Sequence, residues 1–388
     1  MAEPHDPPSH RAWVHSAPPF PSTLSLVDLS APMPASLGPN ELLVQVYAAS
    51  LNPVDAQLRN LAIFRLPALA GPHGIGCDFA GTVLGRGKVA NEFEVGAEVM
   101  GVTVNPLAGP NGGTLSELCV VDLSRSTVVP KPPHLSWTQA AALPLVFLTA
   151  RTVLSPPYLV LPPPPPAHGE PTSSKSRTPP RPTVVVLGGA SAVGQHVVQL
   201  ASKRMDLRVV ASCSARSADL VRSLGAHETI DYEADDVAER LAALRPTEGE
   251  GGFLAIIDCV GGTSLLPSVP RLLSPRTRAF PAGGSYTTIV GDKTSRAALG
   301  GSFLYLTCWA MLSRLLRGWM GLGYRYACIN FKNDASWLAE AADLTKGGDD
   351  DYIVSIDGEY AYEDVAEAFA KVIDGKARGK VVVRVKEP

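Results

Sequence analysis

Residues 183–201 read TVVVLGGASAVGQHVVQLA, and the fold of the chain turns on this stretch. Its opening, Val184-Val185-Val186-Leu187, is an unbroken apolar run of the kind a strand carries when both faces of a parallel sheet are covered. A glycine-rich turn follows from Gly188 to Gly194, and Val193, Val197, Leu200 and Ala201 then recur along one helical face. Strand, tight turn and helix in this order open a dinucleotide-binding βαβ unit. The glycines let the backbone approach a pyrophosphate, and free N–H groups at the helix N-terminus turn partial positive charge toward it. In G-x-G-x-x-G register, Gly189 and Gly194 supply the first and third glycines. Ser191 holds the middle place, where it tightens the approach but offers a hydroxyl as a donor. Gly188, Gly189, Ala190, Ser191, Ala192, Val193 and Gly194 are therefore expected to line a pyrophosphate. A turn of this kind also occurs as a plain strand-to-helix connection, so the flanking sequence decides.

Downstream the rhythm continues. Strands are expected at 207–212, 228–231, 253–259, 278–282 and 324–331, and helices at 217–224 and 237–244. Alternation at these lengths implies a right-handed, doubly wound parallel sheet over residues 147–331. Upstream the style differs. Short runs at 11–15, 41–48, 76–84, 93–101 and 113–121, separated by glycine turns, predict a compact β-rich domain over 11–146. Ser136 to Gln139 reads as a capping box opening a helix that Pro144 should kink or break, with a second helix near 147–154. The tail predicts helices at 335–345 and 362–374 and a strand at 380–386, which would return 332–388 to the first domain.

Composition sets the outer bounds. The 388 residues are 45% hydrophobic and 18% charged, enough for two domains with buried cores. A net charge of −3 gives no field that argues for nucleic acid or acidic lipid. Six cysteines without a C-x-x-C pair read as reduced thiols. The start, MAEPHDPPSH, resembles neither a secretory signal nor a mitochondrial presequence, so a cytoplasmic chain is expected. Residues 297–313 carry no charge but are short for a bilayer and run into Arg314 and Arg317. They read as a core or interface helix, with no membrane span. Residues 156–182, with five prolines from Pro162 to Pro166, predict a solvated insertion that folding does not need. A proline-rich ligand for a partner domain is the less expected reading.

Taken together, Asn52-Pro53-Val54-Asp55, Gly76-Cys77-Asp78-Phe79-Ala80-Gly81, the region from Ala140 to Ala150, the glycine-rich turn and Ala377-Arg378-Gly379-Lys380 resemble the medium-chain dehydrogenase/reductases, in their zinc-free quinone oxidoreductase branch. Within that branch, Cys213-Ser214, the run from Leu220 to Ala226, Asp258 to Gly262 and Tyr324-Arg325-Tyr326-Ala327 are most similar to the reticulon-interacting (NOGO-interacting) mitochondrial oxidoreductases. Fungal-type enoyl reductases share several of these pieces. The resemblance covers residue 11 to the C-terminus apart from the insertion. It implies a GroES-like catalytic domain, a Rossmann cofactor domain, a mitochondrial address at odds with the N-terminus, and a homodimer.

Metal comes next. The resemblance implies that zinc-dependent members put a cysteine where Asn52 stands and a His-Glu pair near Pro72-His73-Gly74. Neither is present, and a tetrahedral site needs such ligands, so no metal is expected. For the cofactor, residues 208–218 hold no acid to grip a ribose 2′-OH, while Ser214 and Arg216 are able to bond a 2′-phosphate. NADPH is therefore expected, against the plainer reading of Arg216 as a solvated surface residue. The resemblance adds Tyr232 beside Ser214 on the adenosine side, Thr149 at the carboxamide, and Val260 and Gly261 near the nicotinamide. It also gives Asn52 a role in orienting substrate or nicotinamide, the alternative being a turn cap. Asp55 reads as structural, and Tyr326 and Lys380 as wall residues. The expected activity is hydride transfer from NADPH to a quinone or other conjugated carbonyl. The alternatives are a 2-enoyl-thioester reductase and a cofactor-binding scaffold with little turnover.

Overall fold

The computed structural model describes residues 9–66, 71–105, 109–162, 181–247, 251–298, 300–347 and 351–387. Most of the proline-rich insertion and the first eight residues thus lie outside the described residues. The chain divides into two units, one of Met1–Leu148, Ser295–Leu299 and Phe331–Pro388, the other of Thr149–Thr294 and Gly300–Asn330. Ser295–Leu299 groups with the first unit although the sequence suggests no break there.

The first unit begins with β1 (Ser9–His15) and β2 (Leu24–Ser30), an antiparallel pair. The stretch holding β2 reads in sequence as a proline-rich loop, because β2 buries none of its residues deeply and owes its form to the ladder with β1. The long β3 (Glu41–Leu51) leads into α1 (Pro53–Arg59). Then come β4 (His73–Gly74), β5 (Asp78–Arg86), β6 (Glu98–Thr103), β7 (Leu118–Asp122) and β8 (Ser126–Pro130). Helix α2 (Trp137–Ala142) opens on the expected capping box, with Gln139 N donating to Ser136 Oγ at 3.1 Å and Ser136 N to Gln139 Oε1 at 3.0 Å. Pro144 does break the helix, but as the first residue of α3 (Pro144–Val153), where a missing N–H costs nothing.

The second unit is the parallel sheet. In chain order it runs β9 (Thr183–Leu187), α4 (Ala192–Gln199), β10 (Arg208–Cys213), α5 (Ala218–Ser223), β11 (Glu228–Asp231) and α6 (Val237–Leu244). It continues with β12 (Ala255–Asp258), α7 (Val269–Leu272), β13 (Ser285–Thr288), α8 (Trp309–Trp319) and β14 (Arg325–Cys328). All pairs are parallel, in the order β11-β10-β9-β12-β13-β14. The expected strand at 278–282 is a turn. The fifth strand is instead β13, whose sequence SYTT has no apolar signature and is buried because strands flank it on both sides.

The chain then returns to the first unit through α9 (Ala335–Leu344), β15 (Ile356–Ala361), α10 (Val365–Asp374) and β16 (Lys380–Arg384). Helix α10 stops at Gly375, whose φ of 76° is the left-handed end that glycine permits. Strand β16 inserts between β15 and β3, giving the order β15-β16-β3-β5-β6-β8 with β7 also on β3. No helix among the described residues is long and apolar enough to cross a membrane.

Candidate cofactor turn and buried polar cluster

In the second unit, β9 is the point from which the chain winds first to β10 and β11 on one side and later to β12, β13 and β14 on the other. In open parallel sheets, ligands bind beyond the carboxyl ends of the strands at such a switch point. The glycine-rich turn begins there. Gly188 has φ 77°, and a Cβ on it would fall 2.3 Å from Val260 Cγ1. Its N–H donates to Ser212 Oγ at 3.0 Å, and Gly189 N–H to Ser212 O at 2.8 Å. A Cβ on Gly194 would lie 2.2 Å from Gly188 O, so the helix start rests directly on the turn.

Ser191 behaves differently from a tightening residue. It is the N-cap of α4 in an extended conformation, and its Oγ accepts from Gly194 N at 3.1 Å. The side-chain oxygen thus caps the first turn of the helix. Its hydroxyl proton is still free to donate, and the first-turn N–H groups of Ala192 and Val193 lie outside the helical ladder. Ala190 O accepts from Gln195 Nε2 at 2.9 Å, which pins the turn to the helix. Close-packed glycines and unpaired first-turn N–H groups give the turn the donor chemistry that a diphosphate needs.

The other expected contacts of this unit sit at neighbouring strand ends. Ser214, buried, follows β10 with its Oγ 3.3 Å from that of Ser217. Arg216 is exposed and enters no ion pair among the described residues. Tyr232 is half exposed at the end of β11, its N–H donating to Cys213 O. Asp231 is the residue that sequence reasoning missed. It lies in register with Cys213, so a carboxylate does stand beside the end of the second strand. Its signal was the parallel pairing of β10 with β11, which reading along β10 alone cannot reveal.

At the end of β12, the carboxylate of Asp258 accepts from Val260 N at 3.0 Å and Gly261 N at 2.8 Å, and from Tyr286 OH at 3.0 Å. Burial raises this carboxyl above its ordinary range while those donors hold it down. Both N–H groups at this strand end are thus spent on Asp258, leaving the Val260 side chain above Gly188 and the carbonyls. Thr149 is buried on α3. Tyr326 is also buried, stacked on Tyr286 with ring centroids 5.9 Å apart, and is not a wall residue.

In the first unit, register assembles a second group. Along β3, Ser50 pairs with Asp78 of β5 on one side and Val382 of β16 on the other, which leaves Lys380 beside Asn52. Lys380 is no wall residue either: it is 2% exposed, and Asp78 is fully buried. The ammonium donates to Asn52 Oδ1 at 2.7 Å, Asp78 Oδ2 at 3.0 Å and Leu51 O at 3.2 Å, using all three protons. Asp78 also accepts from Asn52 Nδ2 at 2.9 Å, Ser50 Oγ at 3.0 Å and Leu145 N at 2.9 Å. Asn52 therefore does more than cap α1. Its amide bridges both members of a buried ion pair, with one N–H still uncommitted.

Asp55 closes the turn by accepting from Asn52 N at 2.7 Å. Burial pushes its carboxyl up to about 6, against the Cys77 thiol and the Asn52 N–H, which hold it down. Burial, then the adjacent Asp55 carboxylate, push the Cys77 thiol well up. Among the described residues no three His, Cys, Asp or Glu side chains gather as a metal requires. The polar atoms of Asn52 and Asp78 face an ammonium, a donor set that does not fit zinc.

Two family models match the chain: the alcohol dehydrogenase GroES-like domain over residues 38–133 and the zinc-binding dehydrogenase over 224–383. The human mitochondrial NAD(P)H oxidoreductase RTN4IP1 is 33% identical over 91% of this chain and 84% of its own. The trans-enoyl reductase pgmF of Aspergillus terreus is 27% identical over 98% of both chains. Among solved structures, the quinone oxidoreductase from Coxiella burnetii superposes with a TM-score of 0.73, covering 98% of this chain and 100% of that one. At 24% identity that likeness is one of fold.

Proposed function

Because this chain belongs to the medium-chain dehydrogenase/reductase family, we propose that it is an NADPH-dependent oxidoreductase, working without zinc, that passes a hydride to a quinone or another conjugated carbonyl. One observation carries this reading. The glycine turn, Ser214, Arg216, Val260 and Gly261 all fall just beyond the carboxyl ends of parallel strands at or next to the switch point, with Tyr232 one strand further out. The human relative's description as an NAD(P)H oxidoreductase supports the same cofactor class.

In this reading Gly188, Gly189, Ala190, Ser191, Ala192, Val193 and Gly194 hold the diphosphate, by backbone N–H groups and the Ser191 hydroxyl. Ser214 and Arg216 take the 2′-phosphate, Arg216 being the exposed cation able to swing onto it, with Asp231 opposing that charge from the next strand. Tyr232 covers the adenosine side. Thr149, Val260 and Gly261 bound the nicotinamide. When bound, NADPH supplies the hydride. Asn52, held by Lys380 and Asp78, presents its remaining N–H to the acceptor's carbonyl oxygen. Lys380 has no free proton donor, so the proton comes from solvent, which suffices for a quinone.

A second reading, a 2-enoyl-thioester reductase, draws on the likeness to the Aspergillus enzyme. The deciding experiment follows cofactor oxidation with NADPH or NADH against a quinone, an enoyl thioester and no acceptor. We expect turnover with NADPH and the quinone, and Arg216→Ala to weaken NADPH but not NADH. Turnover confined to the thioester would establish the second reading. Oxidation with no acceptor dependence would overturn both.

A further inference from the structure

Helix α8 carries an apolar face that the second unit does not use. Its inner side is seated on β14: Met311 and Gly318 are buried, and a Cβ on Gly318 would lie 2.7 Å from Tyr324 O. Arg314 belongs to that inner packing too, ion-paired with Asp292 and stacked 4.9 Å over the Tyr326 ring. The outer side is apolar where a soluble helix would be charged. On the helix Trp309 is 75% exposed and Trp319 84%, with Leu316 exposed between them; just before it Leu306 is 85% exposed, and just after it Met320 and Leu322 stand out. Six of the chain's exposed large hydrophobic side chains thus crowd into seventeen residues, a density that marks an interaction surface.

Charge narrows the partner. From Lys293 to Asn333 the sequence contains no Asp or Glu, although the whole chain has a net charge of −3. Arg317 is exposed on α8, and the exposed Arg276 donates to Gly318 O at 2.8 Å, at the helix C-terminus. A second copy of this chain docked on this face through a two-fold axis would bring a stretch without carboxylates against an identical one, so no acid of that stretch would answer these cations. An anionic lipid surface is complementary in both respects. Tryptophans at the two ends of a short amphipathic helix suit the headgroup boundary, Leu316 between them and Leu306, Met320 and Leu322 just outside them suit the acyl edge, and arginines meet the phosphates.

We propose that the outer face of α8 (Trp309, Leu316 and Trp319), together with Leu306 just before the helix and Met320 and Leu322 just after it, and with Arg317 and Arg276 beside them, is a docking surface for an anionic membrane. It lies on the surface of the bilayer and spans nothing. The proposal is independent of which acceptor the chain reduces.

The test is co-sedimentation of the full chain with vesicles of phosphatidylcholine, alone and doped with phosphatidylglycerol. Binding is expected to the doped vesicles, to fade as salt rises, and to quench tryptophan fluorescence when the lipid is brominated. Trp309→Ser with Trp319→Ser should abolish the quenching. Arg317→Glu, at an exposed site that should not disturb folding, should weaken binding about tenfold or more, since each basic charge near such a surface is worth roughly 1 kcal/mol and reversal removes two. Failure of the wild type to bind doped vesicles would overturn the proposal, as would binding untouched by Arg317→Glu. Light scattering on the same proteins gives the remaining outcome. If the wild type is a dimer that the tryptophan variant splits, a second copy covers this face and the membrane proposal falls.

Discussion

Asp55 and His15 carry opposite pH signatures within one unit. Burial lifts the Asp55 carboxyl from an ordinary 3.8 to about 6, so the folded chain keeps this proton longer than the unfolded one. The stability it contributes is full below about 3.8 and is lost as pH rises through about 6. Burial holds the His15 imidazole down from 6.5 to about 4, so its contribution is full above 6.5 and lost as pH falls toward 4. The two slopes oppose each other over nearly the same range. Asp55→Asn should leave stability rising with pH across that range, helped by the buried His10, which is also held down. His15→Phe, which keeps an aromatic ring near Phe20, should tilt the profile the other way. Denaturant midpoints between pH 4 and 7 read this directly; matching slopes in both variants and the wild type would refute the assignment.

The turn from β9 into α4 depends on a single conformational choice. At φ 77° an L-residue is strained by roughly 1–2 kcal/mol, and at Gly188 a side chain would also strike Val260. Gly188→Ala should therefore lower the thermal midpoint and weaken the proposed NADPH binding together. Adding Val260→Ala removes the clash but not the strain, so the midpoint should recover only in part. Full recovery would mean that the contact alone mattered, and no loss in the single variant would mean that the turn is not held this way. The capping box of α2 and the glycine end of α10 are legible at this same scale, because each is satisfied by residues within a turn of it.

One buried ion pair joins the last strand to an early one. Lys380 and Asp78 are 302 residues apart in sequence, and the pairing of β16 and β5 with β3 brings them together. Removing one member leaves the other charged and buried. Lys380→Met is expected to cost about 3–5 kcal/mol in denaturant unfolding. Combining it with Asp78→Asn should restore much of that, since no lone charge remains. A cost below about 1 kcal/mol for the single variant would show that solvent reaches the pair.

From its residues alone the chain announced the parallel sheet, the glycine turn and the β-rich first domain. An unbroken valine run, a helical period and a glycine at a left-handed position are determined within a few neighbours. Tertiary structure decided what strand pairing decides. It made SYTT a buried strand where 278–282 had looked the better candidate, because neighbours on both sides buried it. It set Asp231 beside the second strand's end, and gave Asn52 an ion pair to hold. The uncharged run before Arg314, which reads as one helix, it split into a 3-10 turn at Ser302–Leu306 and the first turn of α8, whose outer face is apolar and exposed. Local rules specify which residues form an element. Which faces are covered, and which charges share a low-dielectric interior, depends on partners from about twenty to three hundred residues away, and no short-range pattern in the sequence encodes them.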